Sequence, residues 1–126
     1  PERTATLNQS SDNAGTDEAA AGRWSEARAN AWYRDRPWPC GFNYLPAYAV
    51  NFVDLWHPET FDPVAIDREL GRAAEIGYNT TRVNVQHVLW EADPEGMTAR
   101  LHRYLEISAG HGIATVAAAV TPAATQ

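Results

Sequence analysis

One structural unit occurs twice in this chain: an apolar strand, a loop, an Asp-Pro pair, an amphipathic run and a glycine. Asp62-Pro63 begins the first amphipathic run and Asp93-Pro94 begins the second. An aspartate carboxylate accepts hydrogen bonds from the free N–H groups of a first helical turn, and proline suits the first helical position because it lacks an N–H group. Both runs are therefore predicted to be helices that end at Gly77 and Gly112.

Apolar residues recur in these runs at the spacing of one helical face, which indicates helices that pack on a sheet. The first stripe consists of Ile66, Leu70, Ala73 and Ala74, and the second of Met97, Leu101, Tyr104, Leu105 and Ile107. A further short helix is predicted to begin after Ser25 and to extend to about Arg34.

Strands are predicted between the helices, at residues 40–45 and 79–85. A third strand begins at Ile113 and is expected to weaken after Val116, where three alanines offer little bulk. Alternating strands and helices are typical of a parallel α/β sheet, in which functional residues gather beyond the carboxyl ends of the strands. The connections at 46–61 and 86–92 are predicted to be loops at those ends.

The two ends of the chain differ in composition from its middle. Residues 1–22 are rich in small and polar residues and are predicted to be a disordered lead or linker, and residues 121–126 an irregular tail. The domain is predicted to cover residues 23–120. Three parallel strands and two helices cover one side of a sheet and leave open edges, so we expect an incomplete fold or self-association through those edges.

The charge of the chain excludes some classes of partner. Its formal net charge is −6 and it has no cluster of Lys or Arg, which argues against nucleic acid and anionic membrane surfaces. No apolar run is long enough to cross a membrane. No glycine-rich phosphate loop follows a predicted strand, so a nucleotide-binding domain is disfavoured and no cofactor is predicted.

Three segments together resemble the beginning of a cellulase-like glycoside hydrolase of the family 5 type, a (β/α)8 barrel. They are CGFNYLPAYAVNFVDLWHPETFDPVAIDRELG, GYNTTRVNVQHVLWEADPEG and YLEISAGHGIATV, and the preceding WSEARANAWY is similar to the lead-in helix of that family. The resemblance implies the N-terminal segment of a TIM barrel, with about the first three strands and two helices. It also implies export to an extracellular or periplasmic location.

The activity implied by the resemblance is hydrolysis of a β-linked glycan such as cellulose, mannan or xylan by a retaining mechanism. That mechanism uses two carboxyl groups about 5 Å apart. In the family these are glutamates after the fourth and seventh strands, so no catalytic residue is assigned in this chain. We therefore expect the complete parent to be active and this chain alone to be inactive.

Five residues are carried over as supporting residues of such a site. Arg82, in TRVN, corresponds to an inward arginine that hydrogen-bonds the nucleophilic carboxylate and holds it ionised. Asn43 and Asn84 are expected to bind sugar hydroxyls or to line the pocket floor. Trp56 and Trp90 are expected in loops above the strands, where their rings could stack on a pyranose.

Each assignment has a purely structural alternative. Arg82 could belong to a structural ion-pair network, the asparagines could satisfy loop backbone, and the tryptophans could pack the loops. His87 and Glu91 stand four residues apart, but no tight His or Cys pair accompanies them, so no metal site is predicted. The chain as a whole could instead be a carbohydrate-binding fragment or a truncated, non-functional one.

Overall fold

The computed structural model describes residues 22–120, which divide into two units, 22–37 and 38–120. The first unit contains α1 (Glu26–Arg34), and the Ser25 hydroxyl accepts a bond from the Arg28 amide at 3.3 Å, as the sequence predicts. Trp24, which precedes the cap, meets Trp32 of this helix edge to face, with ring centroids 6.2 Å apart. No helix among the described residues has the length and apolarity that crossing a bilayer requires.

The second unit contains a parallel sheet of three strands in the order β1-β2-β3, with four helices between them. Its elements, in chain order, are β1 (Gly41–Asn43), α2 (Phe52–Trp56), α3 (Pro63–Glu75), β2 (Thr80–Gln86), α4 (His87–Ala92), α5 (Pro94–Gly110) and β3 (Ala114–Val120). Asn43 pairs with Arg82, which pairs in turn with Val116. The described residues thus form a mixed α/β fold with two strand-helix-strand crossovers.

The two long helices begin and end as their sequences predict. The Asp62 carboxylate accepts bonds from the amides of Val64 and Ala65 at 3.0 Å, and Asp93 accepts one from Gly96 at 2.9 Å. Gly77 and Gly112 follow the helix ends with φ of +103° and +71°, a region that only glycine enters freely. These signals are local, so the sequence alone is sufficient to place them.

The core lies between one face of the sheet and the helices α2, α3 and α5. Its members on the helices are mainly the predicted stripe residues, and β2 contributes Val83, which is fully buried. The largest buried side chains are Trp56, Tyr104, Leu55, Ile66, Leu70 and Met97. Thr81 and Tyr104 share a buried hydroxyl–hydroxyl bond of 2.8 Å, which fixes α5 against the central strand.

Several predicted boundaries are wrong. β1 spans three residues rather than 40–45, because the chain turns away toward Pro46, which has no N–H group to donate. The predicted loops contain the short helices α2 and α4. β3 does not weaken after Val116 but continues to Val120, since the ladder is built from backbone groups and alanine supplies these as well as any residue does.

Candidate functional site

The side of the sheet opposite the core carries the polar residues that the resemblance singles out. Along β2, Thr81 and Val83 point into the core, whereas Arg82 is exposed and Asn84 is half-buried. Successive side chains of a strand point to opposite faces, so Arg82 and Asn84 share the second face of the sheet. We call this second face, with Asn43, Arg82 and Asn84, the polar sheet face.

Arg82 and Asn43 are neighbours on the polar sheet face. They are paired in register on β2 and β1, and Nη1 of Arg82 lies 3.4 Å from Oδ1 of Asn43. A bond of this length is weak, and a guanidinium has five N–H groups. Arg82 therefore retains donors for an acidic or hydroxylic group placed above the sheet.

Asn84 lies on the same strand two residues further along. Its Oδ1 atom is inaccessible to solvent and has no hydrogen-bond partner among the described residues. A buried acceptor without a donor costs about 1–3 kcal/mol. The Asn84 oxygen is thus a buried acceptor that lacks a donor, two residues along the strand from a cation that can bind an anion.

Trp56 is not a site residue, and the expectation of an open ring above the strands is wrong. It is the last residue of α2, is 0% exposed, stacks on Phe61 and meets Tyr104 edge to face. Its Nε1 atom donates to the carbonyl of Asn84 at 2.6 Å. The Arg82 carbonyl accepts a bond from the Tyr44 amide, on the side of β1. The Asn84 carbonyl lies two residues further along β2 and therefore points to the same side. The indole therefore takes the place of β1 where that strand has ended.

Trp90 is available to a ligand, but in a different setting from the one predicted. It lies on α4 rather than in a loop and is 48% exposed. The His87 ring stacks near it, with centroids 6.2 Å apart and planes 18° apart, and Nε2 of His87 lies 3.0 Å from Glu91 Oε1. Trp90 also lines a groove together with residues of α5, and the polar sheet face does not contribute to that groove.

The segment that follows β1 is fixed by Glu69 of α3, which sequence reasoning did not identify. Its carboxylate accepts a bond from the Tyr44 hydroxyl at 2.8 Å and one from the Ala47 amide at 3.2 Å. Burial, together with this bond to Glu69, raises the pKa of Tyr44 well above its usual value. The contact joins residues 25 positions apart, so no local pattern indicates it.

The polar sheet face therefore combines the guanidinium of Arg82, the amide of Asn43 that lies beside it and the unsatisfied amide oxygen of Asn84. No protein-family model, curated protein sequence or solved structure matches this chain. Among residues 22–120, no group of three His, Cys, Asp or Glu side chains is arranged to hold a metal ion. The chemistry open to these groups is recognition: a guanidinium binds carboxylates, and amides bind hydroxyl groups.

Proposed function

We propose that this chain supplies the first three strands of a (β/α)8 barrel in a retaining glycoside hydrolase that acts on a β-linked glycan such as cellulose, mannan or xylan. The observation that carries the proposal is the placement of Arg82 beside Asn43 on the polar sheet face, with Asn84 on the same strand. The helices pack on the other face, as the outer ring of helices does in such a barrel.

In the proposed reaction Arg82 holds the nucleophilic carboxylate. Its positive charge favours the ionised form, which must attack the anomeric carbon, and its forked donors fix the orientation of the carboxylate. Asn43 and Asn84 would bind sugar hydroxyl groups beside the scissile bond. The two catalytic carboxyl groups are placed on later strands and not among residues 22–120.

The proposal can be tested by adding formate, a small carboxylate, to the purified chain. We expect formate to shift the NMR signals of the Arg82 side-chain N–H groups. It should also strengthen the binding of cellohexaose, mannohexaose or xylohexaose, as read from the side-chain amides of Asn43 and Asn84. The Arg82→Lys variant keeps the positive charge but loses the paired N–H donors of the guanidinium. Formate should therefore strengthen its oligosaccharide binding much less than that of the original chain.

Two outcomes would contradict the hydrolase proposal. The first is a folded chain in which neither formate nor any of the three oligosaccharides perturbs these signals. The second is release of reducing sugar by the purified chain that a Glu-to-Gln substitution within residues 22–120 abolishes, because the catalytic carboxyl groups would then lie where we do not place them.

A binding function without hydrolysis is the second candidate, and the weak bond between Arg82 and Asn43 favours it, because it leaves donors of the guanidinium free for sugar hydroxyl groups. Such a site needs hydroxyl groups, but no carboxylate, beside Arg82. Oligosaccharide shifts that are independent of formate would therefore support this candidate over the hydrolase.

A further inference from the structure

The groove beside Trp90 is separate from the polar sheet face. It has a volume of about 740 Å³ and is formed by the ring of Trp90 and one side of α5. Glu95, Ala99, His102 and Glu106 recur at intervals of three to four residues, so they form one stripe along that helix. This stripe is distinct from the core stripe, whose buried members include Met97 and Tyr104.

Side chains of both charge signs line this groove, and Glu106 pairs with two of the others. Glu106 Oε2 lies 3.3 Å from Arg103 Nη1, and Glu106 Oε1 lies 3.5 Å from His102 Nδ1. Together with Glu95 these groups present hydrogen-bond donors and acceptors side by side. A rim of mixed sign on a chain of net charge −6 gives no advantage to an anionic ligand.

The ring of Trp90 supplies the apolar part of the groove. It is about half exposed, and its neighbour His87 is itself paired with Glu91 at 3.0 Å, so the ring is supported by a fixed side chain. A flat aromatic surface with polar groups of both kinds at its edge suits a ligand with one apolar face and a rim of hydroxyl groups.

We propose that this groove, formed by Trp90 and the Glu95–Glu106 side of α5, binds a neutral oligosaccharide as a second sugar site outside the polar sheet face. A pyranose ring stacks on Trp90, and Arg103 and Glu106 bind its hydroxyl groups as donor and acceptor. The choice of a glycan as the ligand rests on the proposed function, whereas the separation of the two surfaces does not.

The test is a titration of the isotope-labelled chain with cellohexaose, mannohexaose and xylohexaose at millimolar concentration. We expect at least one of them to shift the indole N–H signal of Trp90 and the backbone signals of His102 and Glu106. Trp90→Ala should weaken this binding roughly tenfold, because it removes the stacking surface. Trp38→Ala is the matched control: Trp38 is 79% exposed and lies outside the groove, so its loss should change nothing.

The variant Arg103→Ala keeps the test decisive if Trp90→Ala does not fold. Arg103 is exposed on α5, and its loss should weaken oligosaccharide binding while helix content is unchanged. Absence of any shift on α5 in the folded chain would overturn the groove proposal, and so would shifts confined to Asn43, Arg82 and Asn84. Shifts on α5, with no shift on the polar sheet face from either sugar or added formate, would support the groove and contradict the hydrolase proposal.

Two further outcomes would also overturn the groove proposal. If polygalacturonate, an anionic glycan, binds the groove more tightly than all three neutral sugars, the ligand is selected by charge. If the signals of Trp90, His102 and Glu106 shift with protein concentration in the absence of sugar, and still do so in an Ala117→Pro variant whose β3 edge is blocked, the groove is occupied by a second copy of the chain.

Discussion

Asn79 joins the beginnings of two strands with one side chain. Its Oδ1 accepts from the Cys40 amide at 2.8 Å, and its Nδ2 donates to the Trp38 carbonyl at 2.9 Å. Both partners lie some 40 positions earlier in the chain, and the contact aligns β1 with β2 at the amino end of the sheet. The Asn79-Thr80-Thr81 triplet also matches a glycosylation acceptor, but the side-chain nitrogen of Asn79 already donates a hydrogen bond to the Trp38 carbonyl.

We predict that Asn79→Ala lowers the free energy of unfolding by about 1–3 kcal/mol, since it leaves both backbone partners without their bonds. Asn79→Asp should also be destabilising, because it keeps the acceptor for Cys40 but places a carboxylate oxygen against the Trp38 carbonyl. Urea unfolding followed by circular dichroism measures both values. Asn30→Ala, at an exposed position of α1, should change the value by less than about 0.5 kcal/mol.

The buried tyrosines predict how stability depends on alkaline pH. Burial is the largest cause that raises the pKa of Tyr104 from 10.0 to about 12, and burial and Glu69 raise the pKa of Tyr44 further. Between pH 10.0 and about 12 the unfolded chain releases these protons while the folded chain retains them. The contribution of these tyrosines to the free energy of unfolding should therefore be constant below that window and fall within it, by up to about 1.4 kcal/mol per pH unit for each tyrosine.

Urea unfolding at about pH 8 and about pH 11 would measure this loss. Tyr44→Phe should reduce the difference between the two values, because phenylalanine has no proton to release. Tyr33→Phe, at an exposed position of α1, should leave it unchanged. Equal stability of the original chain at the two pH values would contradict the assignment.

Among the helices and strands, the features that the sequence predicts best are those that neighbouring residues determine. The caps Ser25, Asp62 and Asp93 and the glycines after the long helices stand where the pattern predicts them. Strand ends and short helices depend on distant partners. β1 stops after Asn43, and α2 then brings Trp56 to the Asn84 carbonyl, a contact between residues 28 positions apart.

The same difference between local and distant causes applies to the residues of the candidate site. The alternation of polar and apolar residues along TTRVNVQ is enough to place Arg82 and Asn84 on one face, and the strand pairing adds Asn43. Trp56 and Trp90 each lie between a strand and the Asp-Pro pair that follows it, and nothing local shows which of them is buried. Their surroundings do, since Phe61 and Tyr104 cover Trp56, whereas Trp90 lies at the surface beside α5.

The pairing of β1 with β2 depends on a glycine. A Cβ atom at Gly41 would collide with the carbonyl of its partner Thr80, which is backbone and cannot move aside cheaply. Gly41→Ala should therefore destabilise the chain by about 1–3 kcal/mol, as overpacking does elsewhere.

Gly110→Ala is the matched control for this substitution. A Cβ atom at Gly110, the last residue of α5, meets nothing within 4 Å, and alanine favours the helix. We expect a change of a few tenths of a kcal/mol or a slight gain in stability. Thermal melts of the two variants measure the difference, and equal effects would show that Gly41 does not limit the strand pairing.

At the scale of the whole molecule, the outer edge of β3 is the surface through which a second copy could pair. The Ala114 amide donates to Asn79 at 2.8 Å, so amides at even positions of β3 face β2 and those at odd positions face outward. We predict that the chain self-associates with rising concentration and that Ala117→Pro reduces this, because proline removes an outward N–H group.

Ala118→Pro tests whether the reduced self-association is specific to the outer edge of β3. It removes an inward N–H group that pairs with β2, so it should lower stability rather than self-association. Sedimentation velocity measures the assembly, and urea unfolding measures the stability. A chain that stays monomeric over the whole concentration range would contradict pairing through this edge.

β2 is the strand of this sheet that has neighbours on both sides. In hydrogen–deuterium exchange its amides should be the last of the three strands to exchange, because both flanking strands must separate before it opens. Arg82 and Asn84 both belong to this strand. The groups proposed to recognise a ligand are therefore attached to the most persistent stretch of backbone, and the chain could fluctuate widely at its margins without moving them.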